Sequence, residues 1–155
     1  MLLVDKRLQK ELQTIDRTPM ENISVSLTND NLREWTIFIK GPDQSPYING
    51  IFKLRVNFTE NYPFEAPTAV FVTPIIHPNI SIDGTLCIDT LKNWKANLSV
   101  QTVLLSILSI MASPNLNNAL VPEIANLYKS DYEKYVLLAK KYTKKYAGNI
   151  CHNVV

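Results

Sequence analysis

The sequence predicts an α+β domain: an N-terminal helix, a four-stranded antiparallel meander and a set of C-terminal helices. Three observations carry this expectation. An apolar stripe recurs at helical spacing near the N-terminus, four short runs with period-two or β-branched character follow, and helical spacing returns after residue 99. With 155 residues the chain fits one domain. A chain of this size buries about 70% of the surface its unfolded form exposes, so neither a disulfide nor a metal is needed for folding.

Val4, Leu8, Leu12 and Ile15 fall on one face of a helix running from about residue 2 to 16, and Pro19 bars its extension. Lys6, Arg7 and Lys10 lie away from that stripe, on a solvated or partner-docking face. Ile23 to Leu27, Trp35 to Ile39, Phe52 to Phe58 and Ala69 to Val72 read as strands, with Gly41-Pro42 closing the second. The fourth is reached through Asn61-Tyr-Pro-Phe-Glu-Ala-Pro67, whose two prolines prevent regular pairing. From Thr73 to Leu98 no period is sustained, and so long an irregular stretch inside a compact domain is usually functional.

Ser99 is placed to cap the next helix, whose Val103, Leu104, Ile107, Leu108 and Met111 form a strongly apolar face. Residues 113–118 break it, and Pro122 suits the first turn of a short helix. Ser130 with Glu133 forms a capping box for a last helix that reaches about Tyr146 and ends at Gly148. Lys134, Lys140, Lys141, Lys144 and Lys145 give that helix a solvated basic face. Residues 1–147 are expected to form the core, and 148–155 a short loose tail holding Cys151 and His152.

Composition narrows the function. The formal charge of +2 is too small to make nucleic acid the main partner, and no apolar run approaches the ~20 residues of a membrane span. The opening Met1 to Arg7 lacks the length and cleavage site of a signal peptide, which points to a reducing cytoplasmic or nuclear setting. In that setting a Cys87 to Cys151 disulfide is not expected, and the Asn-x-Ser triplets at Asn22, Asn79 and Asn97 have no glycosylation machinery to meet.

Chemistry concentrates in HPNISIDGTLCID, His77 to Asp89. A metal site would draw on His77, Cys87, Cys151 and His152, yet they show no paired ligand spacing. The four glycines make neither a dinucleotide fingerprint nor a Walker loop, so no ATP is expected on the chain. Cys87 then has two readings from its residues alone. Leu86 and Ile88 beside it suit a buried structural thiol; a nucleophile paired with His77 is the other, although a turn histidine beside Pro78 more often binds local main chain.

Taken together, His77-Pro78-Asn79, Cys87 eight residues after Asn79 in Thr85-Leu-Cys-Ile-Asp89, Trp94, Tyr62-Pro-Phe64, Gly41 to Tyr47 and Leu120-Val-Pro-Glu-Ile-Ala125 resemble the ubiquitin-conjugating enzymes over nearly the whole chain. The resemblance implies the same α+β fold. It implies that Cys87 accepts ubiquitin from a ubiquitin-activating enzyme as a thioester, then passes it to a lysine of a substrate protein with a RING-type ligase, or to the cysteine of a HECT-type ligase. ATP is then used by the activating enzyme, and this chain carries no cofactor.

By the same resemblance, Asn79 matches the asparagine assigned to oxyanion stabilisation, with bracing of its loop as the alternative or companion role. Asp89, on the same side of an extended segment as Cys87, would orient the lysine ammonium, and Leu120 resembles the gate residue beside the cysteine. His77 and Pro78 are structural. Phe64, Lys95 and Ala96, with Lys6 and Arg7 of the first helix, fall where the family meets ligases and the activating enzyme. Phe64 has core packing as its alternative. Ser24 lies on the sheet face that in some members binds a second ubiquitin.

Two departures stand out. Lys95-Ala96-Asn97 replaces the Ser-Pro-Ala of broadly acting members, in a loop one residue shorter, and Asn118 stands where many members place an acid. Competing readings are a non-catalytic ubiquitin-binding variant of the fold and a conjugating enzyme for another ubiquitin-like modifier.

Overall fold

The computed structural model describes residues 2–148. The expected tail, with Cys151 and His152, lies almost wholly outside the described residues. Helix α1 (Leu3–Arg17) is followed by β1 (Ile23–Thr28), β2 (Asn31–Lys40), β3 (Ile51–Asn57) and β4 (Thr68–Phe71), and these pair antiparallel in the order β1-β2-β3-β4. A one-turn helix α2 (Asp89–Lys92), α3 (Val100–Ala112), a 3-10 turn at Leu116–Asn118, α4 (Pro122–Ser130) and α5 (Tyr132–Tyr146) complete the α+β domain.

Register explains the core. Leu27, Trp35, Val56 and Ala69 form one row across the four strands, while Val25, Ile37, Leu54 and Phe71 form the next. Trp35, Ile37, Leu54 and Val56 are fully buried, whereas Ser24 and Ser26 of β1 and Arg55 of β3 point to the open side. The apolar faces of α1 and α3 join the same cluster through Val4, Leu8, Val103, Leu104 and Ile107. Burying each such side chain contributes about 1.5–3 kcal/mol, whereas the Arg33–Asp5 pair between α1 and β2 stays in reach of solvent, which screens it. Burial therefore fixes α1 on the sheet.

The first hairpin is tighter than the strand pattern predicts. β2 begins at Asn31 rather than Trp35, because Asn29 and Asp30 both adopt positive φ (51° and 59°) and close a two-residue turn. Asn and Asp enter that region more readily than other non-glycine residues. Polar Asn31, Arg33 and Glu34 hide the strand from an alternation test. At the other end of the sheet, Ile51 N–H donates to Ala147 O, which ties β3 to the end of α5.

Capping at Ser99 is found where expected, its hydroxyl accepting from Thr102 N–H at 3.3 Å. The Ser130–Glu133 box is not. Asp131 N–H donates to Leu127 O, which draws Ser130 into the last turn of α4, and the break falls on Asp131 at φ −149° and ψ 78°. Asp131 Oδ1 then accepts from Lys134 N–H at 3.2 Å. Serine and aspartate are comparable caps, so adjacency alone could not choose between them. Asp131→Ala is expected to cost about 1 kcal/mol in urea unfolding, and Ser130→Ala less than about 0.5. The reverse order would restore the Ser130 cap.

Candidate active site

Residues 75–80 are buried without belonging to a helix or a named strand, so their polar groups need particular partners. His77 supplies two. Its Nδ1 accepts from Asn79 N–H at 2.9 Å, and its Nε2 donates to Ile110 O of α3 at 2.6 Å. An Nδ1 that accepts carries no proton, so these contacts dictate the neutral tautomer with hydrogen on Nε2. Burial pushes the imidazole pKa down to about 4, against a smaller upward pull from Ile110 O. Neither nitrogen is left to serve as a base for Cys87.

Pro78 O accepts from both Leu120 N–H (2.9 Å) and Val121 N–H (3.0 Å). Both ends of the Asn79 amide are engaged. Its Oδ1 accepts from Asn115 N–H at 2.9 Å, and its Nδ2 donates to Asn115 O at 2.8 Å and to Asn118 O at 3.2 Å. Its own carbonyl accepts from Cys87 N–H at 3.0 Å. Three consecutive residues thus rivet α3, the 115–118 turn, the 120–121 segment and the cysteine to one another.

The chain between Asn79 and Cys87 forms a narrow hairpin, with Ile80 bridged to Leu86. Asp83 Oδ1 accepts from Thr85 N–H at 3.0 Å and pairs with Ser81 Oγ, and these hydrogen bonds hold its carboxyl below the usual range. Gly84 has φ +93°, and a Cβ there would sit 2.0 Å from Phe71 O, so only glycine allows the hairpin to dock on the end of β4.

Cys87 emerges half-buried with a free thiol. Asp89, expected on an extended segment with Cys87, is instead the first residue of α2 and is exposed. The chain turns helical after Ile88, too briefly for any periodicity to reveal it. Two grooves flank this region. One, of about 450 Å³, is lined by Ile88, Asp89, Thr90 and the Thr102 to Ile110 face of α3. The other, of about 390 Å³, is lined by Ile80, Ile82, Leu120, Val121 and Ile124 among others. Leu120 is 38% exposed, and Asn118 presents its side chain outward while its carbonyl is held by Asn79.

Hydrogen bonds thus bring together Cys87, His77, Pro78, Asn79, Asn118 and Leu120, while Asp89 lines the groove along α3. Lys6, Arg7, Phe64, Lys95 and Ala96 make a second group. Phe64 is 79% exposed, which removes its core reading, and Lys6 and Lys95 are exposed. Arg7 is half-buried: it donates to Glu11, to Ala96 O at 3.3 Å and to Leu98 O at 2.7 Å. Ser24 stands apart from both groups on the open sheet face. Among the described residues no three of His, Cys, Asp and Glu converge as metal ligands, and no helix is long and apolar enough to cross a membrane.

Sequence reasoning missed Glu11 and Asn115. Glu11 sits three residues after Leu8 and four before Ile15, in the buried stripe itself, and that spacing was the available signal. Asn115 caps its own turn, its side chain accepting from Asn117 N–H, but nothing local reveals its bonds to Asn79.

Fold and site define a small α+β protein with a half-buried free cysteine beside a densely hydrogen-bonded loop. A family model for the ubiquitin-conjugating enzymes matches residues 7–143 of the 155-residue chain, and the chain belongs to that family. Membership brings transferase activity in ubiquitin conjugation, with ubiquitin, an activating enzyme and ligases as the general class of partners.

Asn79→Ala removes the partners of Asn115 N–H, Asn115 O and Asn118 O. Buried groups left unpaired cost about 1–3 kcal/mol each, but this turn lies near enough to water to recover part of that. A net loss of about 2 kcal/mol is expected in urea unfolding, and an unchanged midpoint would exclude bracing by Asn79.

Proposed function

We propose that this chain accepts ubiquitin from an activating enzyme as a thioester on Cys87 and passes it to a substrate lysine with a RING-type ligase, or to a HECT-type ligase cysteine. The observation that carries the reading is the half-buried free Cys87, held at the backbone by Asn79, with one groove lined by its chain neighbours Ile88 and Asp89 and another by Ile80 and Leu120, in a chain of this family. In the first step the Cys87 sulfur attacks the carbonyl carbon of the incoming thioester. A new C–S bond forms, the old one breaks, and the thiol proton goes to the departing thiolate. Thiol exchange of this kind is nearly isoenergetic, so a resident base is unnecessary. In the second step an amine forms the C–N bond, loses a proton and releases the Cys87 thiolate.

A half-buried Cys87 with a free thiol argues against a non-catalytic variant, and exchange of the modifier in the assay below tests another ubiquitin-like protein. The reading needs no cofactor on this chain, since ATP is consumed by the activating enzyme, and no membrane or nucleic acid. A cytoplasmic or nuclear setting suits a free thiol. Asn79 supports the reading first as the brace of the 115–120 segment; donation to an oxyanion requires it to release Asn118 O, the longer of its two donor bonds. Asp89, in the groove on the α3 side, supplies a carboxylate for an incoming ammonium, and Leu120 gates the other side. Lys6, Phe64, Lys95 and Ala96 receive the ligase and the activating enzyme, and Ser24, by resemblance alone, receives a second ubiquitin.

With activating enzyme, ATP and ubiquitin, the wild-type chain is expected to form an adduct that thiol reductants cleave. Cys87→Ser should trap a reductant-resistant oxyester, and Cys151→Ser should change nothing; an adduct that survives on Cys151 alone overturns the assignment.

Asn118 allows a finer test. A lysine amine has a pKa near ~10.4, so at neutral pH it arrives as an ammonium and must lose a proton before attack. A carboxylate at the end of the 3-10 turn takes that proton, whereas an amide does not. Asn118→Asp is therefore expected to accelerate single-turnover discharge onto free lysine severalfold below about pH 8, with the advantage shrinking as pH rises. An unchanged or slower rate would mean that Asp89 already supplies the charge or that the turn faces away from the thioester.

A further inference from the structure

Resemblance places the partner-docking residues in three separate stretches: α1, the Tyr62-Pro63-Phe64 turn and the loop before α3. In this chain a single buried carboxylate joins all three. Glu11 is 8% exposed, and each of its oxygens is engaged. Its Oε1 accepts from Val100 N–H at 2.8 Å, while Oε2 accepts from Arg7 Nε at 2.9 Å and from the Tyr62 hydroxyl. Val100 is the first residue of α3, so this N–H is one of the orphan donors at the positive end of the helix dipole, and Glu11 caps it from another element.

Arg7 extends the network. With Nε on Glu11, its Nη1 and Nη2 close on Ala96 O and Leu98 O, and the guanidinium lies 5.8 Å from the centre of the Tyr62 ring. The circuit then closes through the aromatics. Tyr62 packs on Trp94 with ring centres 5.7 Å apart, and Trp94 Nε1 donates to Pro63 O at 2.7 Å, next to Phe64. Phe64 and Lys95 are thus the exposed tips of segments whose roots are bound together. Arg7, at 30% side-chain exposure and with its Nε and both terminal nitrogens engaged, has little left to offer a partner. None of these contacts touches His77, Asn79 or Cys87.

We propose that Glu11 and Arg7 are positioning residues that preassemble the docking surface formed by Lys6, Phe64, Lys95 and Ala96, and that Arg7 acts through the loop it clamps rather than by meeting the partner. The inference rests on the conjugating-enzyme reading above for what docks there. Preassembly removes the ordering cost that a mobile loop would add to every encounter, so its loss weakens docking without altering chemistry at the thiol.

Two variants separate this from a direct contact or a general stability role. Arg7→Lys keeps the charge but cannot fork onto two carbonyls. Glu11→Gln keeps an acceptor for Val100 and a donor for the Tyr62 oxygen, but it faces Arg7 Nε with a donor and so releases the clamp. With activating enzyme charged with ubiquitin as the probe, each variant is expected to raise KM for loading Cys87 about tenfold, with kcat and discharge onto free lysine within about twofold of wild type. In the uncharged protein, amide resonances of Phe64 and residues 95–98 should shift while those of Asn79 and Cys87 stay put. A wild-type KM for Arg7→Lys, unmoved loop resonances, or an equal fall in lysine discharge would each overturn the proposal. Failure of the wild-type chain to load ubiquitin removes the conjugating-enzyme reading instead, and the resonances still decide whether the clamp exists.

Discussion

Between β4 and α2 the chain runs through the interior without forming a helix or a regular strand, and a buried peptide group without a hydrogen-bond partner is costly. The rest of the site answers that constraint. Asn79 presents its side chain to the 115–118 turn much as a neighbouring strand would present a peptide, accepting and donating at once. The Pro78 carbonyl serves two N–H groups, and His77 spans from its own loop to α3. An irregular path can therefore be as rigid as a sheet. The backbone of Cys87 inherits that order through the bond from its N–H to Asn79 O.

Helix α3 connects the two polar centres. His77 binds it at Ile110 and Glu11 binds it at Val100, ten residues apart and so about 15 Å along the axis. Its buried face, with Val103, Leu104 and Ile107 in the core, leaves it no freedom to tilt. The surface organised by Glu11 and the rim organised by Asn79 consequently stand at a fixed distance, although they share no side-chain contact.

Much of this was legible in the sequence, because apolar spacing reports burial. The stripe on α1, the inward rows of the strands and the apolar face of α3 were all read from it. The HPN triplet, the cysteine offset and Leu120-Val-Pro marked the site as a pattern, but its bonds join residues 36 and 39 positions apart, which no local rule supplies. Glu11 was hidden for the opposite reason. A charged residue inside an apolar stripe looks like an interruption, although in space it completes the stripe and Leu12 is the residue left partly outside. The shift of the cap from Ser130 to Asp131 and the single turn of α2 are near-ties in local preference, settled by backbone bonding that emerges only on folding.

The neutral, doubly bonded His77 bears on selectivity in the thioester role proposed for Cys87. A carrier that holds an activated acyl group in contact with solvent faces constant competition from water, which outnumbers any other nucleophile. A resident imidazole would sharpen water as readily as it sharpened an amine. By committing both ring nitrogens to main chain, this fold keeps that help away from the rim. Discrimination then rests on what the attacker brings with it: an amine that has shed its proton is intrinsically the better nucleophile, and water gains nothing by arriving first. In the proposed thioester reading, slowness toward water follows from this arrangement, and His77 contributes by staying out of the reaction.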